Sequence, residues 1–162
     1  MRIYLMQHGI CLSKELDPEQ PLSPVGREQV EKTAKVIKNL GLNFDLMISS
    51  PKLRSQQSAK IIAQAVDYPE KSILTTDTAK PMADPKKLIA QIRENGPLES
   101  VFIAGHLPSL NAVASCLLLE AAPPTLHFNV ENSGLTCISV EAEHRRGQLE
   151  WHIPPKFIAL MQ

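Results

Sequence analysis

The 162-residue chain has few of the features that mark metal, nucleotide or disulfide chemistry. Its three cysteines, Cys11, Cys116 and Cys137, are odd in number, and their spacing matches no zinc or redox motif. The sequence also has no glycine-rich phosphate loop, no dinucleotide fingerprint, no HExxH and no Gly-x-Ser-x-Gly. Cys116 and Cys137 lie in apolar runs and are predicted to be buried free thiols, which suit a reducing compartment. We therefore expect no metal and no cofactor.

No excess charge and no long apolar run is present. Lysine plus arginine equals aspartate plus glutamate at 17 each, which argues against a general affinity for nucleic acid or membranes. The longest apolar stretch, Ala112 to Leu119, is far too short to span a bilayer, and the N-terminal run is interrupted too soon for a signal peptide. These features predict one cytoplasmic domain over residues 1–162.

Strand-like apolar runs alternate with helix-like segments along the chain. Strands are predicted at Arg2–Met6, Asp45–Ser49, Ser72–Thr75, Ser100–Ala104, Leu135–Val140 and Gln148–Ile153. Helices are predicted at Val25–Leu40, from Ser50-Pro51 to about Val66, from Asp84-Pro85 onward, and from about Pro108 to Glu120. The last two strands should form a hairpin around His144 to Gly147. This order predicts an α/β fold with a mainly parallel sheet and helices on both of its faces.

The first helix has the clearest signals. Ser23 is placed to cap it, Pro24 fits the first helical position, and Gly41 ends it. Val30, Ala34, Ile37 and Leu40 recur at helical spacing and should form its buried face.

Polar residues follow three of the predicted strands at the point where each strand ends. Gln7-His8-Gly9 follows the first strand, Ser49-Ser50-Pro51 with Arg54 follows the second, and Gly105-His106-Leu107-Pro108 follows the fourth. Ligands of open α/β sheets bind beyond the carboxyl ends of the strands, so these groups should converge. Two imidazoles and a guanidinium near helix N-termini, without a carboxylate cluster, indicate a pocket for a phosphate-type anion.

Each of these groups also has an ordinary structural interpretation. A single histidine at a strand end is usually a satisfied structural residue, and a first-turn arginine is usually solvated. A serine-proline pair most often begins a helix, which is the only role assigned to Ser23-Pro24 and Asp84-Pro85. The coincidence of three elements at equivalent strand ends favours the functional interpretation.

Four segments of the chain are similar to four sequence motifs of one protein family and occur in the same order. Gln7-His8-Gly9 is similar to an Arg-His-Gly signature, and Leu22 to Gln29 is similar to Leu-Thr-x-x-Gly-x-x-Gln. Ser49 to Ala59 is similar to Ser-Ser-Pro-x-x-Arg-x-x-x-Thr-Ala, and Gly105-His106 matches a second histidine motif. Together they resemble the histidine phosphatase superfamily, and the short chain with its His106-Leu107-Pro108 turn resembles the SixA-like phosphohistidine phosphatases in particular.

The resemblance implies a phosphoglycerate-mutase-like three-layer sandwich and a two-step transfer without metal. His8 would attack phosphorus to give a phosphohistidine, which water then cleaves. His106 and Arg54 would be the other catalytic groups, and His106, if protonated, would add positive charge. The implied phosphate cradle consists of Gln7, Gly9, Arg54, His106 and the backbone N–H of Leu107.

Two positions leave the function open. Gln7 stands where the family has arginine, and a neutral donor binds phosphate less strongly than a charged one. Asp77 is a possible general acid, although it also fits a turn. The favoured partner is a phosphohistidine-bearing protein. The alternatives are a phosphatase or mutase of a small phosphorylated metabolite, and a non-catalytic phosphate-binding module.

Overall fold

The protein forms a six-stranded sheet flanked by helices. The computed structural model describes residues 1–119, 126–141 and 146–161. The strands are β1 Arg2–Gln7, β2 Leu46–Ser49, β3 Leu74–Thr75, β4 Ser100–Gly105, β5 Leu135–Ser139 and β6 Gln148–Ile153. Their order in the sheet is β3-β2-β4-β1-β5-β6. Strands β1 to β4 pair in parallel, whereas β5 pairs antiparallel with both β1 and β6. The predicted mainly parallel α/β sheet and its closing hairpin are confirmed.

Helices cover both faces of the sheet because side chains alternate along the central strand. Tyr4 and Met6 of β1 pack with the first apolar cluster, and Ile3 and Leu5 pack with the second. Helices α1 Pro24–Asn39, α2 Leu53–Ala65 and α5 Pro155–Ile158 supply the first cluster, and α3 Pro85–Glu94 and α4 Ser109–Leu119 supply the second. The predicted three-layer sandwich is therefore confirmed.

Helix α1 begins as predicted and differs at its end. The Ser23 hydroxyl accepts the Gly26 N–H at 3.0 Å, with Pro24 in the first turn. Val30, Ala34 and Ile37 are buried. Leu40 is 47% exposed because it is the residue after the last helical one, so its expected place on the buried face is wrong.

Helix α2 begins later than the sequence suggests. It starts at Leu53 after Lys52, which provides no side-chain cap. The Ser50 hydroxyl accepts the Lys52 N–H at 3.2 Å and contacts the His106 ring, so Ser50 belongs to the connection and not to the helix. The predicted start at Ser50-Pro51 is therefore wrong, whereas the Asp84 cap of α3 is confirmed by its 2.9 Å bond to the Lys86 N–H.

Other expectations are met only in part. Cys137 is buried, but Cys116 is partly exposed. Glu120 and His144, which entered the predicted ends of α4 and of the hairpin turn, lie outside the described residues. No helix in the described ranges is long and apolar enough to cross a bilayer.

Two glycines bring α1 directly against the backbone that follows β1. A Cβ on Gly9 would lie 2.5 Å from the Gly26 carbonyl oxygen, and a Cβ on Gly26 would lie 1.8 Å from that of Ile10. No larger residue fits either position without moving backbone, which explains both glycines. At Gly105, by contrast, an added Cβ would lie 2.8 Å from the side chain of Leu110 and not against backbone. The contact between Gly9 and Gly26 fixes the chain immediately after His8.

Candidate active site

The three predicted strand ends meet in the structure. His8 follows β1, His106 follows β4, and Arg54 lies in the first turn of α2, which follows β2. These strands are neighbours in the sheet, so their carboxyl ends are adjacent. Arg54 Nε lies 3.0 Å from His8 Nε2, and the two imidazole centroids are 4.8 Å apart. The geometry brings together the side chains that the sequence proposed, while their chemical roles stay predictions.

The hydrogen bonds of His8 determine which ring nitrogen carries its proton. Nδ1 lies 2.7 Å from the Gly9 carbonyl oxygen, which can only accept, so Nδ1 is the protonated nitrogen. In a neutral imidazole this leaves the lone pair on Nε2. Arg54 donates its Nε–H to that same nitrogen at 3.0 Å. Both contacts therefore require the same tautomer, with a nucleophilic nitrogen facing the guanidinium.

Both imidazoles have pKa values below the ordinary value of a histidine. Burial lowers the pKa of His8 to about 4, opposed by the Gly9 carbonyl and assisted by Arg54. Burial also lowers the pKa of His106 to about 3, with further contributions from His8, Arg54 and Lys52. These low pKa values favour the neutral rings and disfavour the positive charge considered for His106. A bound phosphoryl anion would favour the protonated form and raise that pKa.

Three polar residues without a predicted role at the site hold its backbone and one of its rings. Ser50 Oγ lies 2.9 Å from His106 Nε2, Ser58 Oγ accepts the Gly9 N–H at 3.1 Å, and Asn132 Nδ2 donates to the His8 carbonyl at 2.7 Å. Ser50 and Ser58 stand within the Ser49 to Ala59 motif, which could have indicated them. Asn132 lies in a segment without a predicted element, and no sequence signal pointed to it.

No carboxylate that the structure describes forms an ion pair with Arg54. Within the described residues the ion pairs are Lys32–Glu28 and Lys80–Asp77, and neither involves Arg54. Its second hydrogen bond runs from Nη1 to the neutral Gln20 Oε1 at 3.3 Å. An uncompensated guanidinium beside two neutral imidazoles is suited to binding an anion.

Gln7 and Leu107 lie beside a cavity next to this cluster. The cavity has a volume of about 300 Å³, and its lining consists of Gln7, Ile10, Gln29, Leu107, Val130, Glu131, Asn132 and Pro155. Gln7 Oε1 and Gln29 Oε1 are both buried without a hydrogen-bond partner in the described structure. Two amide oxygens without donors at one cavity are unusual, because buried acceptors are nearly always paired. An arginine at position 7 would remove the first of these oxygens and offer N–H donors to the second, Gln29 Oε1.

Asp77 has no described hydrogen bond or ion pair with the cluster. It begins the short 3₁₀ helix Asp77–Ala79, and its carboxylate pairs with Lys80 at 2.8 Å with a side chain that is 75% exposed. None of its described contacts is with His8, Arg54 or His106, which favours the turn interpretation over the role of general acid. No group of three His, Cys, Asp or Glu side chains suited to a metal ion occurs in ranges 1–119, 126–141 and 146–161.

Comparison with known proteins gives the family context of this geometry. Residues 3–77 match the model of the histidine phosphatase superfamily, branch 1. The phosphohistidine phosphatase SixA of Escherichia coli is 22% identical over 158 residues, which cover 96% of this chain and 94% of that protein. The chain also matches the mitochondrial serine/threonine-protein phosphatase Pgam5 of Drosophila persimilis at 30% identity, but it spans only 32% of that protein's length.

Solved structures share the fold along nearly the whole chain. The protein histidine phosphatase SixA complexed with tungstate superposes with a TM-score of 0.83 at 21% identity, covering 98% of this chain and 99% of that one. A phosphoserine phosphatase mutant from Entamoeba histolytica, in complex with phosphoserine, superposes with a TM-score of 0.73 at 18% identity, covering 96% and 98%.

The depressed histidine pKa values predict a specific loss of stability in acid. Each histidine has a pKa of 6.5 in the unfolded chain and a lower pKa, about 4 for His8 and about 3 for His106, in the folded protein. The free energy of unfolding is therefore fully retained above pH 6.5 and falls as the pH drops from 6.5 toward the folded pKa values, because only the unfolded chain binds the protons. Between pH 7 and pH 5 each histidine should lower the free energy of unfolding by roughly 2 kcal/mol. Thermal unfolding at both pH values should therefore show a larger loss for the wild type than for the His8→Asn/His106→Asn variant. Equal losses, or NMR titration of either ring near pH 6.5, would contradict the assignment.

The unpartnered amide oxygens predict the effect of Gln7→Arg. A guanidinium would add a charged donor for phosphate and offer N–H groups to Gln29 Oε1, so binding of inorganic phosphate or vanadate should strengthen by roughly 1 kcal/mol. Isothermal titration of both proteins measures the change, and Gln7→Met controls for the loss of the amide. Unchanged or weaker binding by the arginine variant would show that residue 7 does not contact the anion.

Proposed function

We propose that the chain is a phosphohistidine phosphatase of the histidine phosphatase superfamily and that it forms a covalent intermediate on His8. The observation that carries the proposal is the arrangement of the His8 imidazole, whose Nδ1 is bonded to the Gly9 carbonyl and whose Nε2 lone pair faces the uncompensated Arg54. A neutral imidazole with a low pKa is a ready nucleophile at physiological pH.

In the first step, Nε2 of His8 attacks phosphorus in line with the leaving group. The Nε2–P bond forms while the bond from phosphorus to the substrate imidazole breaks, and that imidazole leaves with the bonding pair and takes a proton from solvent. Before the attack, the Arg54 Nε–H must release its hydrogen bond to His8 Nε2 and donate to a phosphoryl oxygen instead. In the second step water attacks phosphorus, the Nε2–P bond breaks, the water proton passes to solvent, and phosphate leaves.

The surrounding groups stabilise the negative charge that is spread over the transferring phosphoryl oxygens. Arg54 supplies a full charge, and His106, Gln7 and the Leu107 N–H supply donors, with Gly9 allowing a close approach of the backbone. Such stabilisation is most effective in a site that excludes water. His8 and His106 are 8% and 2% exposed, respectively.

The choice of phosphohistidine rests on the leaving group. No described carboxylate forms a hydrogen bond with His8, Arg54 or His106, and Asp77 is paired with Lys80. An alkoxide leaving group needs a strong general acid, whereas imidazole departs more readily. A site without a nearby acid therefore favours a P–N bond over a phosphate monoester.

A protein substrate fits the open edge of the sheet better than a free metabolite. The loop from Ile10 to Gln20 and the segment from Thr75 to Ala83 are short, and each carries an exposed apolar side chain, Leu16 at 77% and Met82 at 85% exposure. Small ligands usually require burial on most sides. When a folded partner protein presents the phosphorylated side chain, the surface of that partner supplies the contacts that a small free ligand would lack.

Two other functions have specific support. The cavity of about 300 Å³ beside Gln7 reaches the lower end of the volumes that hold small ligands, which favours a phosphatase or mutase of a small metabolite. Gln7 favours a phosphate-binding module without turnover, because the positively charged arginine of the family signature is replaced by a neutral glutamine at this position.

The test is a comparison of kcat/KM across substrate classes. We expect a phosphorylated histidine-carrier domain to be hydrolysed with higher kcat/KM than any sugar phosphate, phosphoserine or phosphoglycerate. Activity should persist in EDTA, and His8→Asn, which keeps a polar side chain, should abolish it. A metabolite with the highest kcat/KM would move the assignment to the small-molecule enzyme, and absence of all turnover with retained phosphate binding would favour the binding module.

A further inference from the structure

Arg54 has a second partner at the site that belongs to none of the family motifs quoted above. Gln20, at the end of the loop between β1 and α1, accepts a hydrogen bond from Arg54 Nη1 through Oε1 at 3.3 Å. The guanidinium is therefore held at two edges, with Nε on His8 and Nη1 on Gln20. When a phosphoryl oxygen replaces His8 Nε2 as the acceptor of the Arg54 Nε–H, the hydrogen bond from Arg54 Nη1 to Gln20 remains.

The backbone of Gln20 has an unusual conformation for its residue type. Its φ of +49° lies in the left-handed region, which glycine and asparagine adopt at lower cost than glutamine. Pro21 follows and further restricts the backbone of the residue before it. A backbone outlier of this kind points to a role for the side chain, and the described side-chain contact of Gln20 is with Arg54.

The loop that carries Gln20 is tied to the helix that carries Arg54. The Leu22 N–H donates to Gln57 Oε1 at 2.7 Å, and Gln57 is three residues after Arg54 in α2. The Leu12 N–H donates to the Pro21 carbonyl at 2.9 Å, which closes the base of the loop. These bonds hold the Gln20 backbone at a defined distance from the first turn of α2.

We propose that Gln20 is a positioning residue that orients the Arg54 guanidinium without neutralising its charge. The inference rests on the proposed function, in which Arg54 binds the phosphoryl group. A carboxylate at this position would hold the guanidinium more tightly, but it would cancel the charge that the anion needs. A neutral amide acceptor supplies the geometry and leaves the full positive charge for the substrate.

The variant Gln20→Gly separates a structural role from a positioning role. Glycine relieves the strained φ, so the Tm should stay the same or rise. The loss of one hydrogen bond to Arg54 should lower kcat/KM about three- to tenfold and raise the Kd for inorganic phosphate by a similar factor. Glu19→Ala, a change at the neighbouring exposed side chain, serves as the control and should leave both values unchanged.

The variant Gln20→Glu tests the charge argument. It keeps an acceptor oxygen beside Nη1 but adds a negative charge, so phosphate should bind more weakly to it than to Gln20→Gly. Wild-type phosphate affinity in either variant would overturn the proposal. Because phosphate Kd is measured without turnover, failure of the wild type to hydrolyse phosphohistidine would contradict the proposed function alone, and the Kd values would still decide the role of Gln20.

Discussion

The imidazole of His8 is held between a backbone carbonyl and a guanidinium, and the rest of the site depends on that pair of contacts. The Gly9 carbonyl fixes the proton on Nδ1, so the lone pair lies on Nε2, where Arg54 donates. The fold supplies both partners. Packing of Gly26 against the backbone after β1 sets the chain at His8 and Gly9, and the parallel order of β1, β4 and β2 brings α2 beside it. A shift of either element would separate the His8 imidazole from the Arg54 guanidinium.

The charges of this site come from the guanidinium of Arg54 and from two imidazoles whose pKa values are lowered. Burial lowers both imidazole pKa values, which favours the neutral rings and avoids repulsion between two adjacent imidazolium groups. Arg54 has no described carboxylate partner, so its positive charge is available to an anion. Serine and asparagine, which are neutral, hold the surrounding backbone and the second ring. Anchoring groups of this kind fix geometry without weakening the attraction for phosphate.

The sequence predicted the fold and the central cluster because both follow from local patterns. Apolar runs gave the strands, and the capping residues Ser23 and Asp84 marked two helix starts correctly. His8, Arg54 and His106 were found because parallel strand ends converge at one edge. Ser50-Pro51 misled, since that serine contacts His106 instead of capping α2. Gln20 and Asn132 were missed because their contacts reach across the fold, 34 and 124 residues along the chain, and no periodicity records such pairs.

The proposed mechanism requires that Nε2 of His8 carries the phosphoryl group during turnover. Rapid mixing with a phosphorylated histidine-carrier domain, followed by quenching in alkali, would preserve a phosphohistidine for mapping by mass spectrometry and for isomer assignment by NMR. We expect a transient phosphoryl group on Nε2 of His8, formed and lost at rates compatible with kcat. A phosphoryl group on Nδ1 of His8 or on His106, or turnover with none trapped on the enzyme, would contradict it.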